Sequence, residues 1–209
     1  MRHIPKGSTT EVELLPFPAA LAAALRSSPD YDADRWLYVP NTYAEYRYIL
    51  GTLGRRPLLC VGVNPSTAAP DHLDNTLRSV ERVALRNGYD SFLMCNLYAQ
   101  RATDPDSLEQ SCNRALHREN LAAFQYLLTR CPQPTVWAAW GAIIEKRAYL
   151  GHCLGDFIAL GAEYGARWYC AGPRSKKGHP HHPLYLRRDV KLEPFDAQQY
   201  GAACLTAAR

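Results

Sequence analysis

The segment Val61-Gly62-Val63-Asn64-Pro65-Ser66-Thr67 carries the first groups able to do chemistry. Asn64 offers an amide donor and acceptor, and Ser66 and Thr67 offer hydroxyls. The apolar run Leu58-Leu59-Cys60 before them reads as a fully buried strand. That run stops on Gly, Asn, Pro, Ser and Thr, which punctuate turns. Farther on, Asp74-Asn75-Thr76-Leu77 opens a helical pattern. A polar loop between the carboxyl end of a buried strand and a helix is where open α/β sheets bind ligands.

Three further strand ends carry polar groups. One is Asn96-Leu97-Tyr98-Ala99-Gln100-Arg101-Ala102-Thr103, and another is Trp140-Gly141. The last is Gly178-His179-Pro180-His181-His182-Pro183-Leu184-Tyr185. In a parallel sheet these ends share one edge and can bring amide, hydroxyl, imidazole and guanidinium groups to one cleft. Each also has a purely structural reading. Asn64 can close its turn by bonding nearby backbone. Asn96 can be a satisfied internal amide. Asp74 can cap the following helix, a role that does not exclude chemistry. Arg101 is either a surface charge or, beside Asn96 at the ligand edge, an anion binder. The run Arg174-Ser175-Lys176-Lys177 is a solvated loop or a phosphate contact.

The elements that position these groups follow from periodicity. Leu14 to Leu25 reads as a short amphipathic helix, and Arg35–Val39 with Tyr43–Leu50 as an aromatic hairpin. Strands are expected at Pro57–Val63, Ser91–Leu97, Thr135–Trp140 and Arg167–Ala171. Helices are expected over Thr76–Asn87 and His117–Arg130, with a third after Gly141 and a short fourth over Leu154–Leu160. Buried strands alternating with helices imply an α/β three-layer sandwich around a parallel sheet of about four strands, with the hairpin at its periphery. The chain reads as a single domain, with residues 1–50 as a helix and hairpin extension on an α/β core at 51–195.

Composition narrows the class. Hydrophobic residues make up 47% and charged residues 21% of the 209, as in ordinary globular proteins. A net charge of +4 gives no whole-chain signal for a polyanion, although a local basic patch remains compatible with it. No apolar run reaches the roughly 20 residues needed to span a bilayer, so no membrane association is expected. The polar segment Met1–Thr10 lacks the apolar stretch of a signal peptide. None of the seven cysteines forms a Cys-x-x-Cys pair. That pattern suits a reduced cytoplasmic protein with buried thiols. The histidines sit in a Pro-interrupted loop, so neither a metal site nor a cofactor is expected.

In their combination and order, Asn64-Pro65-Ser66-Thr67-Ala68, Asp74, Thr76, Asn96-Leu97-Tyr98-Ala99 with Arg101-Ala102-Thr103-Asp104-Pro105, Ala139-Trp140-Gly141, Gly178-His179-Pro180 and His182-Pro183-Leu184-Tyr185-Leu186 resemble the DUF1643 family of uncharacterised bacterial and archaeal proteins. The resemblance covers roughly residues 45 to 195. That family's paired acidic residues before the first helix read Leu73-Asp74 here, which leaves a single carboxylate. A looser resemblance links Gly62-Val63-Asn64-Pro65, Asn96, Trp140-Gly141 and His182-Pro183-Leu184 to the uracil-DNA glycosylase superfamily. It implies an N-glycosidase-like hydrolase acting on a nucleobase in a free nucleotide or in DNA. Asn64, Asp74 and His182 would then be catalytic, with Asn64 positioning water and His182 donating to the leaving base. Asn96 would read the base edge. Ser66, Thr67, Tyr98, Arg101, Trp140, His179 and Tyr185 would bind the rest of the substrate. The alternative is a non-catalytic nucleotide- or nucleic-acid-binding module using the same cleft.

Overall fold

A computed structural model describes residues 9–207. Most of Met1–Thr10 therefore lies outside the described residues. Seven strands form one sheet: β1 (Trp36–Val39), β2 (Ile49–Thr52), β3 (Pro57–Gly62), β4 (Ser91–Asn96), β5 (Thr135–Ala138), β6 (Arg167–Ala171) and β7 (Leu192–Pro194). Their spatial order is β1-β2-β4-β3-β5-β6-β7. The central pairs β4–β3, β3–β5 and β5–β6 are parallel, and the outer pairs are antiparallel. Every residue of β3, β4 and β5 is buried, which is why these strands read as continuous rather than alternating apolar runs.

Five helices cover the sheet: α1 (Phe17–Ala24), α2 (Asn75–Arg86), α3 (Arg114–Leu128), α4 (Ala148–Glu163) and α5 (Ala197–Ala207). Two separate apolar cores result. One joins α2 (Leu77, Val80, Val83, Ala84) to Leu58, Cys60, Phe92, Met94 and Trp137. The other joins α1, α3, α4 and α5 to Leu59, Val61, Leu93, Cys95 and Val136. Neighbouring residues along β3 and β4 thus alternate between the cores, as side chains on a pleat must. Asp74 starts α2 by accepting the Leu77 N–H at 2.9 Å, and Asn113 starts α3 by accepting those of Ala115 and Leu116. Within the larger core, Phe124 of α3 stacks on Phe157 of α4 with centroids 4.4 Å apart.

Several expectations need correction. The sheet has seven strands rather than about four: the hairpin joins it as one edge, with β2 pairing directly with β4, and β7 adds a strand at the other edge. Its second arm begins at Ile49; ahead of it Tyr46 bridges Gln100, and the rings of Tyr46 and Tyr48 lie in the larger core. The two short helices expected after Gly141 are a 3-10 turn, Gly141–Lys146, and one continuous helix, α4. β7 and α5 had no strong pattern, yet Phe195, Ala197 and Tyr200 complete the larger core. Six cysteines are described, all free, and burial pushes the thiols of Cys60, Cys95 and Cys170 up.

The β2–β4 pairing depends on Gly51. A Cβ there would lie 2.0 Å from the Phe92 carbonyl oxygen and 2.8 Å from Leu93 Cα, both backbone atoms that cannot yield. Gly51→Ala is expected to lower unfolding stability by about 3 kcal/mol, the upper end for overpacking. Urea denaturation of the two proteins checks this, and an unchanged midpoint would show that the strand edge accommodates the methyl group.

Candidate functional site

The site begins with a register. β3 and β4 pair in parallel from Pro57↔Ser91 to Gly62↔Asn96, so the two strands end side by side. A Cβ on Gly62 would lie 2.8 Å from Asn96 Oδ1 and 2.6 Å from Met94 Cε. Glycine at 62 is what leaves the Asn96 amide its space. Asn96 is 1% exposed, and its side-chain nitrogen and oxygen have no hydrogen-bond partner among the described residues. Its backbone carbonyl, by contrast, is held by Asn120 Nδ2 at 2.8 Å. Buried amides are nearly always bonded. This one carries a free donor and a free acceptor on the α2 side of the sheet.

The loop after β3 is fixed from beneath. Asn64 Nδ2 donates to the carbonyls of Pro65 (3.0 Å) and Ala102 (2.7 Å). That fixes the amide with its oxygen as the unused acceptor. Ser66 Oγ lies 3.4 Å from Thr103 Oγ1, and Thr67 is half-buried in the same loop. Arg101 donates from Nη1 to the carbonyls of Ser66 and Ala68 and from Nη2 to Tyr38 Oη at 2.9 Å. Arg47 Nη1 donates to the Ala68 carbonyl at 2.9 Å. The two guanidiniums are 1% and 2% exposed, respectively. Arg101 therefore holds the loop from inside and is not the surface charge that was one reading of the sequence. Burial, and then the like charge of Arg101, push Arg47 down to about 9, while Asp74 pulls it up.

Asp74 and His182 complete the group. His182 opens the 3-10 turn Pro183–Tyr185, and its Nδ1 accepts the Leu184 N–H at 3.3 Å. The neutral ring consequently carries its proton on Nε2. Burial holds His182 below the ordinary imidazole range, Asp74 pulls it back up, and His181 adds to the lowering. Gly141 follows β5 with φ of 60°, and a Cβ there would lie 3.1 Å from His182 Cβ. A side chain at 141 would meet both backbone strain and this close approach. Ser79 Oγ donates to the Pro183 carbonyl at 2.7 Å and ties the histidine turn to α2. The charge of Asp74 thus acts on both Arg47 and His182.

Other residues singled out in the sequence are used differently. Tyr98 Oη bonds the Glu109 carboxylate and accepts the Asn113 N–H at 2.8 Å, so it braces the start of α3. Trp140 is fully buried among Trp168, Phe195 and Tyr200, with Nε1 donating to Tyr200 Oη at 3.1 Å. His179 lies 2.7 Å from Tyr200 Oη and 3.1 Å from Glu145 Oε1. All three pack toward the larger core. Tyr185 is exposed, with its ring 6.3 Å from that of His182. Arg47 went unnoticed because it sits in the aromatic stretch Tyr46-Arg47-Tyr48; one charge amid apolar residues was the available signal. A cavity of about 570 Å³ is lined by Tyr31, Tyr38, Tyr43 and His72. It includes none of Asn64, Asp74, Asn96 or His182.

The electrostatic influence of Asp74 gives a direct test. Asp74→Asn keeps a helix cap but removes the charge. The His182 pKa should then fall further below its wild-type value, as read by NMR titration of the ring. An unchanged value would mean that the two side chains do not share a site.

Among the described residues, no helix is long and apolar enough to cross a membrane. No group of three or more His, Cys, Asp or Glu side chains gathers there as a metal site. No curated protein matches the chain. Residues 47–184 match the family described as "Protein of unknown function (DUF1643)", a span that begins at Arg47 and takes in Asn64, Asp74, Asn96, Arg101 and His182. The chain belongs to the DUF1643 family.

Proposed function

We propose that this edge of the sheet binds a nucleobase and hydrolyses its N-glycosidic bond. The observation that carries the reading is the buried Asn96 amide, whose donor and acceptor are both unused. A nucleobase edge presents neighbouring acceptor and donor groups and can satisfy both at once. A leaving ligand would uncover an amide whose desolvation costs about 1–3 kcal/mol for each unmet group.

The surrounding groups support the rest of the reaction. The C–N bond breaks with its electron pair going to the base, water adds its oxygen to the sugar carbon, and the proton that water sheds ends on the departed base. Asn64, held by two carbonyls, points its amide oxygen as an acceptor for that water. His182, neutral with its proton on Nε2, donates to the oxygen of the leaving base. Asp74 orients the imidazole electrostatically and serves as the carboxylate closest in function to a base. Ser66, Thr67 and the loop backbone offer polar contacts to a phosphate. An amide is a weak general base, so the rate depends mainly on stabilising the departing anion, and turnover is slow. The four-motif resemblance to the uracil-DNA glycosylase superfamily points the same way.

Single-turnover assays over normal, deaminated and alkylated bases, in oligonucleotides and in free nucleotides, test the proposal. At least one should release free base. His182→Ala should raise the barrier by about 2–4 kcal/mol, the loss typical of one such donor, with a smaller effect on binding. Asn96→Ala should flatten the preference among bases. If no base is released from any member, the cleft is a non-catalytic binding module.

A further inference from the structure

The chain's positive charge is not spread evenly. The segments 75–86 and 184–191 contain six cationic side chains, Arg78, Arg82, Arg86, Arg187, Arg188 and Lys191, against Glu81 and Asp189. The rest of the chain carries eighteen of each sign, so these two segments hold the whole net charge of +4. The fold lays them along one another. The Pro183 carbonyl bonds Ser79 near the start of α2; the Val190 carbonyl and the Leu192 N–H bond the Asn87 side chain at its end. Lys191 Nζ lies 3.5 Å from the Arg86 carbonyl. On α2, Arg78, Arg82 and Arg86 recur every four residues and so line one face. Arg82 is braced on Ser79, and the other five cations are exposed.

This strip runs directly into the site. Arg78 is one helical turn from Asp74, whose carbonyl accepts its N–H at 2.9 Å. At the other border, Leu184 and Tyr185, 41% and 74% exposed, stand in the same turn as His182. An exposed aromatic ring beside His182, at the end of a cationic track, has a use if successive bases of a strand stack there.

We propose that the outer face of α2 and the 184–191 segment together form a binding surface for single-stranded nucleic acid, feeding one base toward Asn96. The choice of nucleic acid over another polyanion rests on the nucleobase reading of the neighbouring site. The choice of a single strand rests on Tyr185, because a base-paired duplex would offer the cations its phosphates but would withhold its base faces from the ring.

Fluorescence anisotropy with a labelled single strand of about 15 nucleotides, within the range of known strand-binding sites, tests the surface. Affinity should fall with salt. In Arg78→Ala/Arg187→Ala/Arg188→Ala it should drop at least tenfold, and the log–log salt slope should shrink by about 2, or about 0.7 for each phosphate no longer neutralised. Tyr185→Ala should weaken binding about tenfold with the slope unchanged. All of these side chains are exposed, so thermal melts should match wild type. Three results would overturn the proposal: equal affinity for the triple variant, equal affinity for duplex and single strand, or full competition by polyglutamate or anionic vesicles. His182→Ala should lose base release while keeping most of its strand affinity. Salt-dependent binding without base release would therefore retire the glycosidic reading alone, and release from free nucleotides without strand binding would retire this surface alone.

Discussion

The parallel pairing of Gly62 with Asn96 is the constraint on which the site depends. Six paired residues carry β3 and β4 to their ends together, and the side-chain period of two then turns position 62 and position 96 toward the same face. Glycine at 62 leaves the volume that the amide occupies. A slip of β4 by one residue would turn Asn96 toward the larger core, on the side of Val61, and send Cys95 and Leu97 to the α2 side. A slip would force both close-packed cores to repack and would place the amide among apolar groups, and that cost holds the register.

Around this pair the protein holds a polar loop by burying charge beneath it. Arg101 and Arg47 both donate to carbonyls of the 66–68 segment, and each lies near the other's like charge. Burying two guanidiniums is costly unless their donors are used. Here the carbonyls of Ser66 and Ala68, the Tyr38 hydroxyl and the field of Asp74 offset that cost. The consequence is geometric. With its carbonyls drawn inward, the loop keeps Asn64 in one orientation at the sheet edge.

His182 is set by a different balance. Its backbone enters over Gly141, its Nδ1 is occupied by Leu184, and its turn is pinned to α2 through Ser79. Desolvation favours the neutral ring and Asp74 opposes it. A neutral donor poised beside one carboxylate suits the stabilisation of a developing anion better than the wholesale transfer of a proton. α2 links the two halves of this arrangement, since its N-cap is Asp74 and its flank supports the histidine turn.

The sequence by itself determined the frame. The starts of β3, β4 and β5 were legible to the residue, because strands buried on both faces read as continuous apolar runs, and that of the half-covered β6 was legible from its aromatic run. Asn96 at the end of β4 and Asn64 just beyond β3 were legible for the same reason, as polar groups that stop such a run, whereas His182 stood out only by its place in a Pro-interrupted histidine loop beyond β6. Tertiary structure decided what each polar group does. Whether Arg101 faces solvent or the underside of a loop depends on carbonyls thirty-odd residues away, and local pattern contains no trace of them. Tyr98, Trp140 and His179 were drawn into bonds with Glu109, Tyr200 and Glu145, partners supplied by distant segments. Arg47 and the terminal elements β7 and α5 stayed illegible because their places are fixed by packing rather than by propensity. Periodicity reports which face of an element is buried. Only the assembled sheet and helices set which buried group meets which.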